Sequence, residues 1–195
     1  AEEDVEAVIV SLLHSYANPA HEERVAEILA AFEPKWQIVT SASVIREYYE
    51  FERTSTAAVQ AYLQPLVSRY ADSLGRRLGD WGFGRQTLVM QSNGGLIPLT
   101  QLPKHAAYVV RSGPAAGVTA AARIAAEAGF DKAITGDMGG TSFDVAVVID
   151  GEPEITPSTN LDFRVPLKLS MINVHTIGAG GGSIAWVDRG GILQV

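Results

Sequence analysis

The segment Lys132–Asp150, KAITGDMGGTSFDVAVVID, contains the residues whose types and spacing best suit phosphate chemistry. A short apolar run ends on Asp137, and a second run of mostly β-branched residues begins at Phe143 and carries Asp144. Consecutive backbone N–H groups in the turn between them would form a concave anion site, and glycines let a ligand approach the main chain closely. The candidate donors in this turn are Gly139, Gly140, Thr141 and Ser142.

Two carboxylates, Asp137 and Asp144, flank this turn. Carboxylates beside a bound phosphate are favourable when a hard cation such as Mg²⁺ lies between them, because this ion takes oxygen ligands and keeps several waters. The pattern therefore predicts a nucleotide-phosphate site with the two aspartates as catalytic and metal-binding candidates. A tight β-hairpin is the simpler alternative, although this turn has more polar groups than chain reversal requires.

A second glycine-rich loop, Gly178–Ser183, follows a predicted strand at Val174–Ile177. That strand carries His175, the one histidine that we would test for a function. A strand is also predicted after the loop, so it does not fit a dinucleotide-binding fingerprint, and no G-x-x-x-x-G-K-[ST] phosphate loop occurs. So many glycines cost chain entropy unless something must approach the backbone closely. We predict a second loop facing phosphate or nucleoside, with candidate residues Gly178, Gly180, Gly181, Gly182 and Ser183.

Composition excludes several classes of function. The 195 residues are 47% hydrophobic and 19% charged and include no cysteine, so we expect a globular chain without disulfides or a thiolate metal site. The formal net charge of −7 argues against an extended basic surface for nucleic acid. With neither a bilayer-spanning apolar run nor a signal peptide expected, we predict a cytoplasmic protein, and the missing initiator Met suggests a piece of a larger one.

Strand and helix patterns alternate along the first part of the chain and predict an α/β fold with a mixed sheet and flanking helices. Val5–Leu13 predicts a strand buried on both faces, Asn18-Pro19 begins a helix, and Trp36–Thr40 predicts a parallel partner strand. Thr54–Leu74 is the longest helical pattern, and its aromatic residues are expected in the core. Pro65 should kink or interrupt that helix.

A turn-rich break at Gly79–Gly84 is the predicted boundary between residues 1–80 and 81–195. Thr87–Met90 predicts a strand that ends in the turn Gln91–Gly95. This turn is either a plain Asn-Gly turn or a loop bordering the same cleft, because α/β sites collect at strand ends. We slightly favour the second interpretation.

A helix is predicted to begin at Ser112-Gly113-Pro114 and to reach Ala128, with Gly129 closing it. The start of this helix could face an anion, and close packing would explain its small residues equally well. Asp150-Gly151 is a turn signal that should start another antiparallel strand.

Six strings, in order over nearly the whole chain, resemble the hydantoinase A / 5-oxoprolinase family, which also contains the ATP-using subunit of acetone carboxylase. They are SYANPAHE (Ser15–Glu22), EYYEFERTST (Glu47–Thr56), QSNGG (Gln91–Gly95), SGPAAGV (Ser112–Val118), GDMGGTSFDV (Gly136–Val145) and HTIGAGGGSIAWVD (His175–Asp188). The resemblance implies an actin-like ATPase fold with two ribonuclease-H-like lobes, and ATP with a divalent cation such as Mg²⁺ as cofactors. Residues 1–80 would then end the first lobe with a connecting helix, and residues 81–195 would belong to the second, nucleotide-phosphate-binding lobe.

Carried over by position, the segment from Asp137 to Asp144 would be the second phosphate loop, and Gly178–Ser183 a further glycine loop of the nucleotide lobe. The chain departs from the family twice. The family's first phosphate loop, a Gly-rich acidic turn like the one at Asp137 but near the N-terminus, is absent from these residues. Phe143 stands where members often carry a small polar residue, which would alter the cleft. We therefore expect these 195 residues alone to bind nucleotide weakly and to turn over nothing.

The resemblance implies an enzyme that activates a carbonyl by phosphorylating its oxygen. The first hypothesis is an ATP-dependent cyclic-amide hydrolase of the hydantoinase or 5-oxoprolinase type. The second is the ATP-using subunit of an acetone-type ketone carboxylase, and the third is a non-catalytic nucleotide-binding module. The implied partners are a cyclic amide or ketone and a second, hydantoinase B-like subunit or domain, with neither nucleic acid nor a membrane expected.

Overall fold

The computed structural model describes residues 4–161 and 165–195 and confirms a mixed α/β architecture. Within these residues the helices are Ala20–Phe32 (α1), Ser41–Val44 (α2), Glu50–Asp80 (α3) and Ser112–Glu127 (α4), with a 3₁₀ segment at Leu99–Val109. The longer strands are Ala7–Val10 (β1), Gln37–Thr40 (β2), Leu88–Met90 (β3), Leu96–Pro98 (β4), Ala133–Met138 (β5), Phe143–Ile149 (β6) and Val174–Ile177 (β12). Two-residue strands are Glu152–Pro153 (β7), Ile155–Thr156 (β8), Thr159–Asn160 (β9), Pro166–Leu167 (β10), Met171–Ile172 (β11), Trp186–Val187 (β13) and Leu193–Gln194 (β14).

The chain divides into two compact units. The first consists of Ala1–Gln91, Gly95–Val110 and Pro157–Ser170, and the second of Ser92–Gly94, Arg111–Thr156 and Met171–Val195. The predicted boundary at Gly79–Gly84 lies within the first unit, and the division of a larger protein at residue 80 stays a prediction. Within the described part of the chain, no helix combines the length and apolarity needed to span a bilayer.

The first unit begins with the predicted βαβ arrangement, since β1 and β2 pair in parallel and α1 lies between them in sequence. Glu22 and Glu23 occupy the first turn of α1, and the Asn18 side chain accepts a hydrogen bond from the Ala20 N–H at 3.1 Å. The expectation that β1 is buried on both faces was wrong, because Val10 is its one buried residue. An apolar run shows which side chains of a strand could be buried. The elements packed against the strand decide which of them are buried.

Helix α3 is a single run of 31 residues, so Pro65 does not end it. The aromatic residues predicted for the core point outwards instead, with Tyr62 83% and Tyr70 58% exposed. This helix packs against β1, β2 and the 3₁₀ segment. Ala57, Ala61 and Ala71 are small enough to let those elements approach closely. The buried residues of the helix are Arg53, Thr56, Ala57, Gln60, Ala61, Pro65 and Ala71.

A buried polar cluster joins two of the strings that resemble the family. Glu22 and Arg53 are both 0% exposed. Glu22 accepts hydrogen bonds from the Leu12 N–H at 2.8 Å, the Ser41 hydroxyl at 2.6 Å and the Ala42 N–H at 3.0 Å. The Arg53 Nε donates to the same Ser41 oxygen at 3.0 Å. Ser41 therefore connects a buried anion with a buried cation, an arrangement that sequence reasoning missed.

The second unit is organised around the hairpin of β5 and β6, which confirms the strand–turn–strand prediction for Lys132–Asp150. Strand β12 pairs with the other edge of β6, and β7 continues from the turn at Asp150 and Gly151, whose φ angles of 54° and 78° suit a type I′ turn. Helix α4 covers one face of this sheet, and Gly129 follows it at φ 86°, as predicted. The core between them contains Ala115, Val118, Ala122, Ala146, Val148, Ile172 and Val174.

Gly94 of the Gln91–Gly95 turn belongs to the second unit and is closely packed within it. Gly94 has φ 84°, and a Cβ there would lie 3.2 Å from Thr119 Oγ1 and 3.4 Å from Ile172 Cδ1. The neighbouring Ser92 carbonyl accepts a hydrogen bond from the Ile172 N–H at 2.8 Å. Both turn geometry and contact therefore require glycine at this position.

Gly94→Ala is expected to lower the free energy of unfolding by about 2–3 kcal/mol, since it combines left-handed backbone strain with a crowded β-carbon. Gly82→Ala is the matched control, because Gly82 has φ 78° but no atom within 4 Å of its Cβ position. The control should lose only about 1–2 kcal/mol from the backbone conformation. Urea unfolding followed by circular dichroism measures both losses, and equal losses would show that the Thr119 contact is unimportant.

Candidate functional site

Asp137 and Asp144 lie directly opposite each other on β5 and β6. Both line one cavity of about 220 Å³, whose wall also includes Thr135 and, from the first half of α4, Pro114 and Gly117. Like charges directly opposite in a sheet repel each other, and a cation bound between them would offset this repulsion. The structure thus brings the two predicted carboxylates together beside the helix that sequence reasoning allowed to face an anion.

A hydrogen bond from a third strand orients one of these carboxylates. Thr176 of β12 lies opposite Asp144, and its hydroxyl donates to Asp144 Oδ1 at 2.5 Å. Such a bond fixes the carboxylate and leaves Oδ2 for a ligand. Sequence reasoning missed Thr176, because only the pairing of β12 with β6 reveals what it faces.

The turn between the aspartates presents main-chain donors. The Gly139 N–H donates to the Ser142 carbonyl at 3.0 Å, which closes the turn. Within the described chain, the N–H groups of Gly140, Thr141 and Ser142 donate to no backbone carbonyl. Gly139, Gly140 and Thr141 are exposed, so solvent or a ligand reaches them. Successive N–H groups of this kind are what an anion site is built from.

The second glycine loop is bonded directly to this turn. The Gly181 N–H donates to the Gly139 carbonyl and the Gly182 N–H to the Gly140 carbonyl, both at 2.9 Å. Ser183 closes its own loop, since its Oγ accepts from the Gly180 N–H at 3.0 Å. The N–H groups of Gly181 and Gly182 in the second loop are therefore already bonded to protein carbonyls.

Two glycines of the second loop are required by this contact. A Cβ at Gly180 would lie 2.7 Å from the Gly139 oxygen, and a Cβ at Gly182 would lie 2.9 Å from the Gly140 oxygen. Gly178 differs, because no atom lies within 4 Å of its Cβ position. The close approach that the glycine content indicated is thus made by the protein's own turn.

Phe143 and His175 lie on the opposite face of the sheet from the two aspartates, because adjacent residues of a strand alternate between faces. The Phe143 ring lies over Gly136, where a Cβ would be 2.8 Å from the ring. Phe143 is thus not among the described residues that line the aspartate cavity, and its effect on the cleft of the larger protein stays a prediction. His175 is exposed on that same outer face, away from the aspartate cavity.

The residues present fit a hydrated divalent cation rather than an enclosed one. Within residues 4–161 and 165–195, no three His, Cys, Asp or Glu side chains come together as a metal site. Two carboxylates beside a turn with exposed main-chain donors would suit Mg²⁺, which keeps several waters and takes oxygen ligands. Asp137 and Asp144 are the side chains that would hold it. No residue of the Gln91–Gly95 turn is among the described residues that line this cavity.

The sequence matches known proteins along its length. The hydantoinase/oxoprolinase family matches residues 53–195, and the N-terminal region of that family matches residues 1–32. Caprolactamase subunit alpha from Pseudomonas jessenii is 38% identical over 194 residues, covering 100% of this chain and 28% of the relative. Acetophenone carboxylase gamma subunit from Aromatoleum aromaticum is 37% identical, covering 95% of this chain and 26% of the relative.

The fold matches a solved structure as well. A nucleotide-free structure of acetone carboxylase, described as ATP-dependent, superposes with a TM-score of 0.81 and 31% identity over 98% of this chain and 27% of the other. The chain spans 28% and 26% of the two curated relatives described above. A family match over residues 53–195, together with the same fold, shows that this chain belongs to the hydantoinase/oxoprolinase family.

Proposed function

We propose that this chain holds the nucleotide phosphates in an ATP-dependent cyclic-amide hydrolase, which activates a carbonyl by phosphorylating its oxygen. One observation carries the proposal: opposed carboxylates and a turn with outward N–H donors occur together at the end of the β5–β6 hairpin. Phosphoryl transfer needs positioning and charge stabilisation more than covalent chemistry from the protein. This arrangement supplies both.

Each residue of the hairpin end has a role in this proposal. The N–H groups of Gly140, Thr141 and Ser142 hold phosphate oxygens, and the two hydroxyls add donors. Asp137 and Asp144 hold a divalent cation, which neutralises phosphate charge when bound. Transfer of the phosphoryl group from ATP to the amide oxygen releases ADP and makes the carbonyl carbon a better electrophile. Water then adds to that carbon, and the C–N bond breaks so that the ring nitrogen leaves as an amine. A second water hydrolyses the resulting acyl phosphate to the carboxylate and inorganic phosphate.

The second glycine loop, Gly178–Ser183, stabilises the turn Gly139–Ser142 (the phosphate turn) by hydrogen bonds to its carbonyls. Gly181 and Gly182 donate to the carbonyls of Gly139 and Gly140, and this fixes the peptide planes of the turn. The C=O and N–H of one trans peptide point in opposite directions, so the N–H groups of Gly140 and Thr141 are directed away from the second loop. We therefore assign these two glycines to positioning, and Gly180 to allowing the close approach.

The larger protein is proposed to have an actin-like ATPase fold, with residues 1–80 at the end of one lobe and residues 81–195 in the nucleotide lobe. A hydantoinase B-like subunit or domain is the proposed partner, and the names of the caprolactamase and acetophenone carboxylase relatives, each a subunit, support it. A cytoplasmic location is part of this proposal.

A ketone carboxylase subunit is the second candidate. The 37% identity to the acetophenone carboxylase subunit and the TM-score of 0.81 to acetone carboxylase favour it. The same phosphate site would serve, since phosphorylation of a carbonyl oxygen is common to both reactions.

The test is a coupled assay of the full-length protein with its partner subunit, using cyclic amides such as 5-oxoproline, hydantoin and caprolactam, and ketones with bicarbonate. ATP consumed in fixed ratio to ring opening supports the hydrolase. Ring opening without ATP contradicts it, and ATP use that depends on ketone and bicarbonate establishes the carboxylase. Nucleotide binding without turnover on any substrate indicates a non-catalytic module.

Asp137→Asn in the full-length protein is expected to lower kcat for ATP hydrolysis by about 10²–10³-fold, because it removes a charged ligand from the phosphate site. The same change should raise the free energy of unfolding by about 0.2–1 kcal/mol, because it removes the repulsion across the hairpin. Asp150→Asn, at an exposed turn position with φ 54° that asparagine tolerates, is the matched control for both measurements. Loss of stability together with activity in Asp137→Asn would indicate a structural role instead.

A further inference from the structure

Apart from the aspartate site, the first unit contains a cavity of about 370 Å³ that combines cationic and amide groups with an apolar wall. Lys104 and His105 of the 3₁₀ segment and Gln64 of α3 line its polar side, and Ile38 and Val44 line its apolar side. The chain has a formal net charge of −7, yet no carboxylate is among the described residues that line this cavity. The local charge thus has the opposite sign to the charge of the whole chain.

The buried side-chain amide of Gln60 interrupts the helical hydrogen bonding of the 3₁₀ segment beside this cavity. The Gln60 Nε2 donates to the Pro103 carbonyl at 2.8 Å, and its Oε1 accepts from the Ala107 N–H at 2.9 Å. Those backbone groups are four residues apart, and a regular α-helical turn would join them to each other. His105, between them, has the non-helical angles φ −127° and ψ 31°. Gln60 therefore takes the place of a helical hydrogen bond and holds Lys104 and His105 in an open turn.

Gln60 also fixes the orientation of Gln64. Its Nε2 donates to Gln64 Oε1 at 3.0 Å, so the Gln64 oxygen is the acceptor and its NH₂ group is left to donate elsewhere. Within the described ranges, neither this NH₂ group nor the Lys104 ammonium has a hydrogen-bond or ion-pair partner. Two donors thus line the cavity without an acceptor.

We propose that this cavity, independently of the phosphate site, binds a small carboxylic acid. The carboxylate pairs with the Lys104 ammonium and accepts a hydrogen bond from the Gln64 amide, which its two oxygens allow at once. The short apolar body of the ligand packs against Ile38 and Val44. The volume lies near the lower end of the roughly 300–1,000 Å³ of small-molecule sites, which fits a ligand of a few carbon atoms. Inorganic phosphate has no apolar part to place against that wall.

Pentanoate titrated into the ¹⁵N-labelled chain is the test, with pentanamide as the neutral isostere and inorganic phosphate as the purely polar anion. Pentanoate should shift the backbone resonances of residues 103–107 and 60–64 in a saturable way. Lys104→Met should weaken pentanoate binding by roughly tenfold, because a charged hydrogen-bonding partner is lost. Pentanamide should bind the unchanged chain about as weakly as pentanoate binds Lys104→Met. Lys132→Met, an exposed lysine of the second unit, is the control and should bind pentanoate normally.

The result is decisive in each direction. Equal pentanoate affinity in Lys104→Met and the unchanged chain, or equal affinity for pentanamide, overturns the anion site. Phosphate binding as tightly as pentanoate overturns the apolar half of the proposal, and no saturable shift at high millimolar pentanoate overturns all of it. Gln64→Leu is the second variant and should also lose affinity while the spectrum of the second unit stays unchanged.

Discussion

Under the proposed function, Gly180→Ala is expected to lower ATP turnover of the full-length protein by on the order of 10²-fold, because misplacing a positioned reacting group by about 1 Å has an effect of that size. The new β-carbon would lie 2.7 Å from the Gly139 oxygen and 2.8 Å from both Gly140 C and Ser142 N. All three are backbone atoms, so no side chain can rotate away and the turn itself must move. The measurements are kcat for ATP hydrolysis and the affinity for ATP with Mg²⁺.

The same loop offers a matched control. Gly178→Ala adds a β-carbon with no atom within 4 Å, and neither glycine has a positive φ that alanine would find strained. Gly178→Ala should therefore keep near-normal turnover, while Gly182→Ala, at 2.9 Å from the Gly140 oxygen, should behave like Gly180→Ala. Equal turnover in the 178 and 180 variants would show that contact between the loops does not position the phosphate turn.

The hairpin could be predicted from the sequence because its signals are local. Two apolar runs separated by glycines and hydroxyl residues predict strand, turn and strand, and the structure has them at Ala133–Met138 and Phe143–Ile149. Alternation along β6 also places Phe143 and Asp144 on opposite faces, a consequence that the sequence contained. The bonds between the two glycine loops were not predictable, because glycine content indicates a close approach without naming what approaches.

Helix α3 shows the corresponding limit for packing. The helical pattern was correct, but its aromatic residues Tyr62 and Tyr70 are exposed, and a different set rich in alanine and polar residues is buried. Periodicity identifies which side chains share a face, and neighbouring elements decide which face is covered. Neither Arg53 nor Gln60 was assigned a role from the sequence, yet both organise buried hydrogen-bond networks.

Glu22→Gln is expected to lower the free energy of unfolding by about 3 kcal/mol, since it removes a fully buried carboxylate from a network that includes the buried Arg53 guanidinium. Burial alone raises the pKa of Glu22, but hydrogen bonds from the Ala42 N–H, the Ser41 hydroxyl and the Leu12 N–H together lower it below its usual value. A lowered folded-state pKa means that the ionised carboxylate stabilises the fold above the pKa of the unfolded chain. That stability is lost as the pH falls through the usual glutamate range and below it.

Urea unfolding of the unchanged chain and of Glu22→Gln between neutral and acidic pH measures both effects. The difference between them should be largest near neutral pH and should shrink on acidification. Glu23→Gln, at the neighbouring exposed position in the same helical turn, is the control and should change stability by less than about 0.5 kcal/mol. A stability difference that stays constant with pH would rule out ionised Glu22 as its origin.

The location of the lost stability distinguishes this network from a general weakening of the fold. Glu22 accepts from the Leu12 N–H, and the Arg53 Nη2 donates to the Leu12 carbonyl at 2.7 Å, so anion and cation hold both sides of one residue in the loop after β1. Glu22→Gln should therefore speed hydrogen exchange at the Leu12 and Ala42 amides, its direct donors, and leave exchange in the β5–β6 hairpin unchanged. Loops after the carboxyl ends of parallel strands are where α/β proteins place ligands. A buried ion network that fixes this loop is thus expected to preserve a geometry as well as a fold.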